Sequence, residues 1–550
     1  VPGHLKCLVH VTAKERVAHL LGLSPGDDVD LSGTTLTPDL VERLLTALRD
    51  PAGGRPRFGR ARFVEAIFPG GADFAGVTFA EEARFTGAAV HEGADFSDAT
   101  FTGEALFRGA TIGWNADFSD TTFEARADFA EATVGIGVHF GNAGFAAGAT
   151  FRDATLTDAS FMGATFADGC SFDNTTFVDD ADFLASTFVT GVSFGRATFV
   201  AAASFDAVRF CGEVGFAEVT FATDASFHHT VFAGSGLGPF TCPGRLDLRE
   251  AVFEKPVTIE AEAASVHLLG TRWEAPATLR LCSPDIDLSN AMVTHPLSIT
   301  GVGESGARLI SLRGVDVEHL ALIDVDLGDC LFAGARRLDR LTLGGRVGLA
   351  RTPTGRPYHT SRRVLAEERY WRGWAPKPGP VEFPRFWGTP TPPVRRDLAP
   401  ADLAPLYREL GRAFAVAGNT ADAADFRYGE AEMRRLDPER PRAERALLAV
   451  HRVGSGYGLR AARVLGWLAA TMVVAVAALV LFGLPADAGG AGTAVRVVVH
   501  AAVLRGDGTR LTVVGTCVEA GVRVLVPVLL VLAALALRAR LERRVPALVG

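Results

Sequence analysis

Along residues 63–232 large apolar side chains recur at steps that alternate between five and six. Phe63 and Phe68 open the series. Its centres then run Phe74, Phe79, Phe85, Val90, Phe96, Phe101, Phe107, Ile112, Phe118, Phe123 and Phe129, and it continues to Phe232. One step, from Leu156 to Phe161, breaks the alternation. A helix repeats every 3.6 residues and a strand every 2, so neither produces this interval. A coil of short sides does, returning one bulky side chain to the interior on each side. The residue two before each large one is small or β-branched, as at Ala72, Val77, Ala83, Ala94, Ala99 and Ala105. One large and one small inward position per side can fill a narrow shaft at interior density. The positions between carry Asp, Glu, Thr, Gly and Arg, which suit turns and a solvated wall.

Stretches such as Ala94-Asp95-Phe96-Ser97-Asp98 and Ala164-Thr165-Phe166-Ala167-Asp168 resemble the pentapeptide repeat family. The resemblance implies a mainly β fold, a right-handed quadrilateral β-helix in which four units close one turn. A turn then takes about 22 residues, and about eight turns at about 4.8 Å each make a shaft on the order of 40 Å long. The sixth residue of every second unit enlarges alternate corners. The resemblance covers residues 58–235 closely and 236–345 more loosely. In the second stretch, inward pairs such as Leu246/Leu248, Val257/Ile259, Leu279/Leu281 and Leu320/Leu322 continue the solenoid with less regular corners. The pattern stops near Leu343.

The flanks predict further domains. Residues 1–57 read as an N-terminal helical cap, with an amphipathic helix over 35–50 that has Thr37 as N-cap and Pro38 at its first position. Such a helix would cover the bare strand edges of the first coil. Residues 346–400 form a Pro-rich linker, with Trp374, Phe383, Phe386 and Trp387 among its prolines. Residues 401–450 predict a helical hairpin broken at Gly418-Asn419, with Thr420 as the second N-cap. Tyr407, Ala424, Phe426 and Tyr428 make it resemble one tetratricopeptide-like hairpin.

Residues 451–550 predict a membrane region with spans at about 464–484 and 514–537, the first of them free of charge over 21 residues. Arg452, Arg460 and Arg463 precede the first span, and Arg538, Arg540, Arg543 and Arg544 follow the second. The positive-inside rule then places the solenoid and the C-terminal tail in the cytoplasm of an integral plasma-membrane protein. The lack of an apolar signal-peptide core in residues 1–20 agrees with this expectation.

Composition narrows the chemistry. The 550-residue chain has a mild net charge of −8, and no basic stripe in the repeat points to nucleic acid. Its seven scattered cysteines suit a reducing compartment, with Cys170 and Cys330 in the small inward position. No catalytic, cofactor or metal motif is present, and His228-His229 has no further ligand at usable sequence spacing. Asp73, Asp95, Asp117, Asp128 and Asp182 each precede a central Phe, and stacking would align some of them into an acidic ladder. Glu519 and Arg523, four apart, form a candidate intramembrane pair.

The leading expectation is a non-enzymatic bacterial scaffold, anchored in the lipid bilayer, that binds an unidentified protein partner or further copies of itself. Two alternatives remain. One is a two-span pore with residues 492–505 as a short re-entrant helix. The other is a DNA-mimicking topoisomerase-binding protein, as the family resemblance allows. Arg84, Arg108, Arg126, Arg152 and Arg196 on the outer wall weigh against that mimicry.

Overall fold

A computed structural model describes residues 11–541, apart from positions 52, 235–236, 283, 304–305, 353–361, 374–397, 459–460, 486–489 and 507. The chain divides into two compact units, residues 1–348 and 349–550. Most of the Pro-rich linker, with its four aromatic residues, lies outside the described residues.

The first unit is a β-solenoid of about 13 turns. One turn consists of Ala72–Asp73, Thr78–Phe79, Ala83–Arg84 and Ala89–Val90, after which Ala94–Asp95 pairs in parallel with Ala72–Asp73. Thr78, Thr100 and Thr122 sit in direct register, so a regular turn takes 22 residues (100 − 78 = 122 − 100).

The two step lengths correspond to two kinds of corner. Five-residue steps close tight turns. In Phe85-Thr86-Gly87-Ala88 the Ala88 N–H donates to the Phe85 carbonyl at 3.0 Å, and Gly87 has φ +64°. Positive φ at the third residue alone marks a type II turn. The sixth residue of the longer steps therefore lies in the wider corners, such as Ala80-Glu81-Glu82 and Thr102-Gly103-Glu104. Coils approach closely there: a Cβ on Gly103 would lie 2.3 Å from the Glu81 carbonyl carbon.

The irregular step at Leu156 shortens one turn to 21 residues, as the register Gly144↔Thr165 shows. Instead of bending, Thr155–Ser160 runs straight through its corner beside Thr133–His139, which bulges between Val134 and Ile136.

All eleven repeat centres from Phe74 to Phe129, nine of them Phe, are buried, as are the small residues two before them. Equivalent rings of successive turns stack nearly parallel, Phe79 on Phe101 at 4.6 Å and Phe107 on Phe129 at 4.8 Å. Rings of opposite sides meet edge to face, as Phe107 and Phe118 do at 5.6 Å and 90°. The coil spacing sets the first distance and the ring quadrupole favours the second geometry. One of the four columns is aliphatic between Phe68 and Phe177, running through Val90, Ile112, Val134 and Leu156. At Thr121, Thr175 and Thr230, where the small position of the Phe repeat is Thr, the hydroxyl donates to a carbonyl of the preceding coil, as Thr121 does to Phe96 at 2.8 Å.

Pairing begins earlier than the repeat suggests. Val29–Asp30 already pairs with Ala61–Arg62, so the stretch expected as a separate cap contributes a first partial turn. Two helices flank that turn: α1 (Ala13–Leu21), closed by a Thr12/Glu15 capping box, and α2 (Pro38–Ala47). Thr37 occupies the N-cap of α2 without a side-chain hydrogen bond, and Leu40, Val41 and Leu44 are buried beneath the helix. Beyond Phe232 the strands lengthen to Leu237–Asp247 and Val257–His267, and the turn shortens to 20 residues where Val257 pairs with Ala277. The inward pairs from Leu246/Leu248 to Val325/Leu327 are all buried. The last paired strand is Thr342–Gly344.

The second unit is helical: α3 (Ala366–Trp371), α4 (Pro400–Val416), α5 (Thr420–Leu436), α6 (Arg442–Ser455), α7 (Ala461–Ala478), α8 (Ala491–Ala502) and α9 (Val513–Leu541). Helix α7 ends in a π-helical turn, Leu479–Gly483. Gly418, with φ +77°, ends α4. Asn419, not Thr420, caps α5: its side chain accepts the Asp422 N–H at 3.1 Å, and Thr420 is already helical. Helix α6 was not foreseen and runs across the expected adaptor–membrane boundary at 450. The stretches Ala462–Gly483 and Val513–Leu537 are long and apolar enough to cross a membrane, with a mean hydropathy of 2.5 each.

Candidate functional site

The outer wall of the solenoid is built from side chains held in register. Asp73, Asp95 and Asp117 do stack in one column, which then continues through His139, Ser160 and Asp182. Asp128 stands in another column, between Leu106 and Thr150. These carboxylates are also engaged locally. Each accepts the backbone N–H two residues on, at 2.8–3.0 Å, as in Asp95 with Ser97 and Asp182 with Leu184. The ladder is therefore short, and its groups brace the turns that follow.

The five wall arginines all face acids. Arg84 meets Glu82 at 2.7 Å, Arg126 meets Asp128 at 3.6 Å and Arg152 meets Asp153 at 3.7 Å. Arg108 with Glu131 and Arg196 with Glu218 (3.1 Å) reach across to the next coil. The wall thus alternates in sign along and between coils. Exposed pairs of this kind contribute at most about 1 kcal/mol each.

Cys170 and Cys330 are buried, as expected from their inward positions, and Cys242 joins them. Burial pushes the Cys170 thiol well above its ordinary value and the Cys242 thiol up to about 11, so neither is a ready thiolate at neutral pH.

His228 and His229 stand in the middle of a tight turn whose neighbour in the next coil carries Glu250. The His229 Nδ1 lies 3.3 Å and the His228 Nε2 4.0 Å from the two Glu250 oxygens. The sequence expectation that this pair has no further ligand is corrected: a residue 21 positions on (250 − 229) comes into reach because coils of that length stack the two turns. Burial, then the neighbouring His229 and Arg249, lowers the pKa of His228.

The second unit holds two buried polar hubs. Glu368 lies between the guanidinium groups of Arg362 and Arg372, the latter at 2.6 Å, and accepts the Tyr407 hydroxyl proton. Burial alone would raise the Glu368 pKa, but Arg362, Arg372 and the Tyr407 hydrogen bond outweigh it and lower it. The Tyr407 oxygen in turn accepts the Leu365 N–H at 3.0 Å. These contacts fasten residues 362–372, expected as linker, onto the α4–α5 hairpin. Glu432 on α5 binds Arg435 at 2.9 Å and the Tyr457 hydroxyl at 2.9 Å, with Arg452 of α6 at 3.7 Å. That second hub ties the hairpin to the segment leading into α7. Leu447, Val450 and Val453 leave an exposed apolar stripe on α6.

Between the two apolar helices, α8 buries Ala494, Val497, Val498 and Ala501 against Ala475 and Leu479 of the first and Val522 and Val526 of the second. Gly483 and Gly515 touch: a Cβ on Gly515 would stand 2.4 Å from the Gly483 carbonyl oxygen. Arg523 donates to Glu519 at 2.7 Å.

No curated protein and no solved structure matches the chain. The family model for pentapeptide repeats (9 copies) matches residues 63–111, 85–133 and 107–155. These windows begin on Phe63, Phe85 and Phe107, one solenoid turn apart and in one stacked column. Repeat, register and family pattern coincide over residues 63–155, and the chain carries a pentapeptide repeat solenoid followed by helices of which two could span a membrane.

Proposed function

We propose that the chain is a non-enzymatic scaffold fixed to a membrane by α7 and α9, with its solenoid wall as the docking surface for a protein partner. The observation that carries the reading is the wall itself. Its side chains stand in rows at fixed coil spacing, held by stacked Phe rungs, in a chain that also carries two span-length apolar helices. Such rows offer a partner many weak, charge-alternating contacts on a preorganised frame, so that little ordering entropy is lost on binding.

The basic residues around both apolar helices favour a plasma membrane with the solenoid and the C-terminal side in the cytoplasm. The apolar stripe of α6 suits the lipid interface beside α7. A net charge of −8 and the absence of a basic stripe disfavour nucleic acid. The broken acidic column and paired arginines likewise disfavour DNA mimicry.

Affinity capture from membranes with the full chain, and with a chain lacking residues 58–345, tests the scaffold. Partners should disappear with the solenoid. A full-length product in the soluble fraction, or the same partners on both baits, would refute it.

A two-span pore is the second reading, favoured by α8 held between the apolar helices and by the Glu519–Arg523 pair. A single-channel current in planar bilayers, changed by Glu519→Gln, would establish it in place of the scaffold.

A further inference from the structure

We infer that His228, His229 and Glu250 form a divalent transition-metal site, best suited to Zn²⁺, that clamps two successive coils of the solenoid. Among the described residues these three offer ligand atoms within 4.8 Å of one another. Their placement follows from the stacking of two tight turns. Phe227-His228-His229-Thr230 closes through the Thr230 N–H to the Phe227 carbonyl, and Leu248-Arg249-Glu250-Ala251 closes in the same way. The His229 N–H donates to the Arg249 carbonyl at 3.0 Å, which locks the second turn over the first. Both imidazoles and the carboxylate therefore project from rigid backbone on the same corner.

The donor set and its spacing fit the ion. Two imidazole nitrogens and one carboxylate are a zinc ligand set that leaves a fourth position for water. With bonds of about 2.0–2.1 Å, a tetrahedral ion sets its ligands about 3.3 Å apart. The His229 Nδ1 and Glu250 Oε2 already stand 3.3 Å apart, and the His228 Nε2 is 4.0 Å from Oε1. A small rotation of a partly exposed ring closes that gap. The set is too nitrogen-rich for Ca²⁺ or Mg²⁺, which take oxygen ligands.

The surroundings leave room for the ion and remove the nearest competing cation. Gly270 follows beneath, where a Cβ would press on the Glu250 Cγ at 3.2 Å. Arg249 turns to Asp247, with Nη2 2.7 Å from the carboxylate, so its charge is matched there.

The location gives the ion a structural role. The Phe repeat ends at Phe232, between the two turns, and the long strand Leu237–Asp247 follows. A metal shared by the two turns joins the last regular coil to the first coil with lengthened strands.

The test uses the full chain in detergent micelles, stripped by chelator and titrated with Zn²⁺ by calorimetry, beside His229→Ala and Glu250→Gln. Wild type is expected to bind one ion at least tenfold more tightly than either variant. Zn²⁺ should slow amide exchange over 227–232 and 248–253 in wild type alone. Equal Zn²⁺ uptake and equal exchange in all three proteins would overturn the inference. Co²⁺ substitution of wild type is an independent check that needs no variant. A tetrahedral d–d spectrum without a thiolate charge-transfer band supports the site, and an octahedral or thiolate spectrum overturns it.

Discussion

Replacing Phe129 by Ala removes one ring from the middle of a continuous stack. Phe129 lies between Phe107 at 4.8 Å and Phe151 at 5.0 Å, nearly parallel to both. It also meets Phe118 edge-on at 5.5 Å and Phe140 at 5.4 Å. It is 1% exposed, so the ring's whole apolar area is lost from the interior. About 200 Å² at about 25 cal/mol per Å² gives an upper figure of roughly 5 kcal/mol. Core Phe→Ala substitutions cost about 3–5 kcal/mol, and the hydrogen-bonded coils above and below resist collapse into the gap. We therefore expect about 4 kcal/mol for Phe129→Ala.

Phe129→Leu should cost under about 1.5 kcal/mol, because a branched aliphatic side chain fills most of the same space, as Leu156 does in the neighbouring column. Each coil touches only its neighbours, so the loss should concentrate there. Amide exchange of the full chain in detergent would show it as faster opening over about 105–155, with residues 277–302 little changed. A cost below about 1 kcal/mol, or equal costs for Ala and Leu, would refute the stacked-rung account of stability.

The Ser186 hydroxyl is fully buried without a hydrogen-bond partner, in a position that Ala fills in many other turns. Ser186→Ala should therefore raise stability by about 1 kcal/mol in urea unfolding, whereas Thr121→Ala, which loses a bond to Phe96, should lower it. Burial raises the Glu432 pKa, but Arg435, Arg452 and the Tyr457 hydroxyl outweigh it and push it from 4.5 down to about 2. A depressed folded-state pKa gives stability that is complete above about pH 5 and lost as pH falls toward 2. The helical unit should lose about 3 kcal/mol across that window by denaturant titration, and Glu432→Gln should flatten the profile. Gly515→Leu should separate α7 from α9 and lower the detergent melting temperature by several degrees, because its Cβ meets the Gly483 carbonyl oxygen; Gly521→Leu, with open space around it, is the control.

The hydrophobic spacing alone was enough to derive the rungs, their inward burial and the two apolar helices, and with four units per turn, as the family resemblance implies, it also gave the 22-residue turn. Each follows from a period along the chain: a side chain that must be buried at every side leaves its interval in the sequence. Even the Asp73–Asp95–Asp117 column was legible, because a constant turn length makes the register a matter of counting. What only the tertiary structure decided begins where that constancy ends. A 22-residue count from His228 lands on Glu250, but only the structure, where this turn takes 21 residues and sets Glu250 opposite His229, brings the carboxylate within reach of both imidazoles. Nor could a period reveal Glu368 between Arg362 and Arg372 beneath Tyr407, since those groups belong to no repeat. Val29–Asp30 escaped for the same reason: a two-residue strand has no pattern of its own, and it takes its form from the coil beside it.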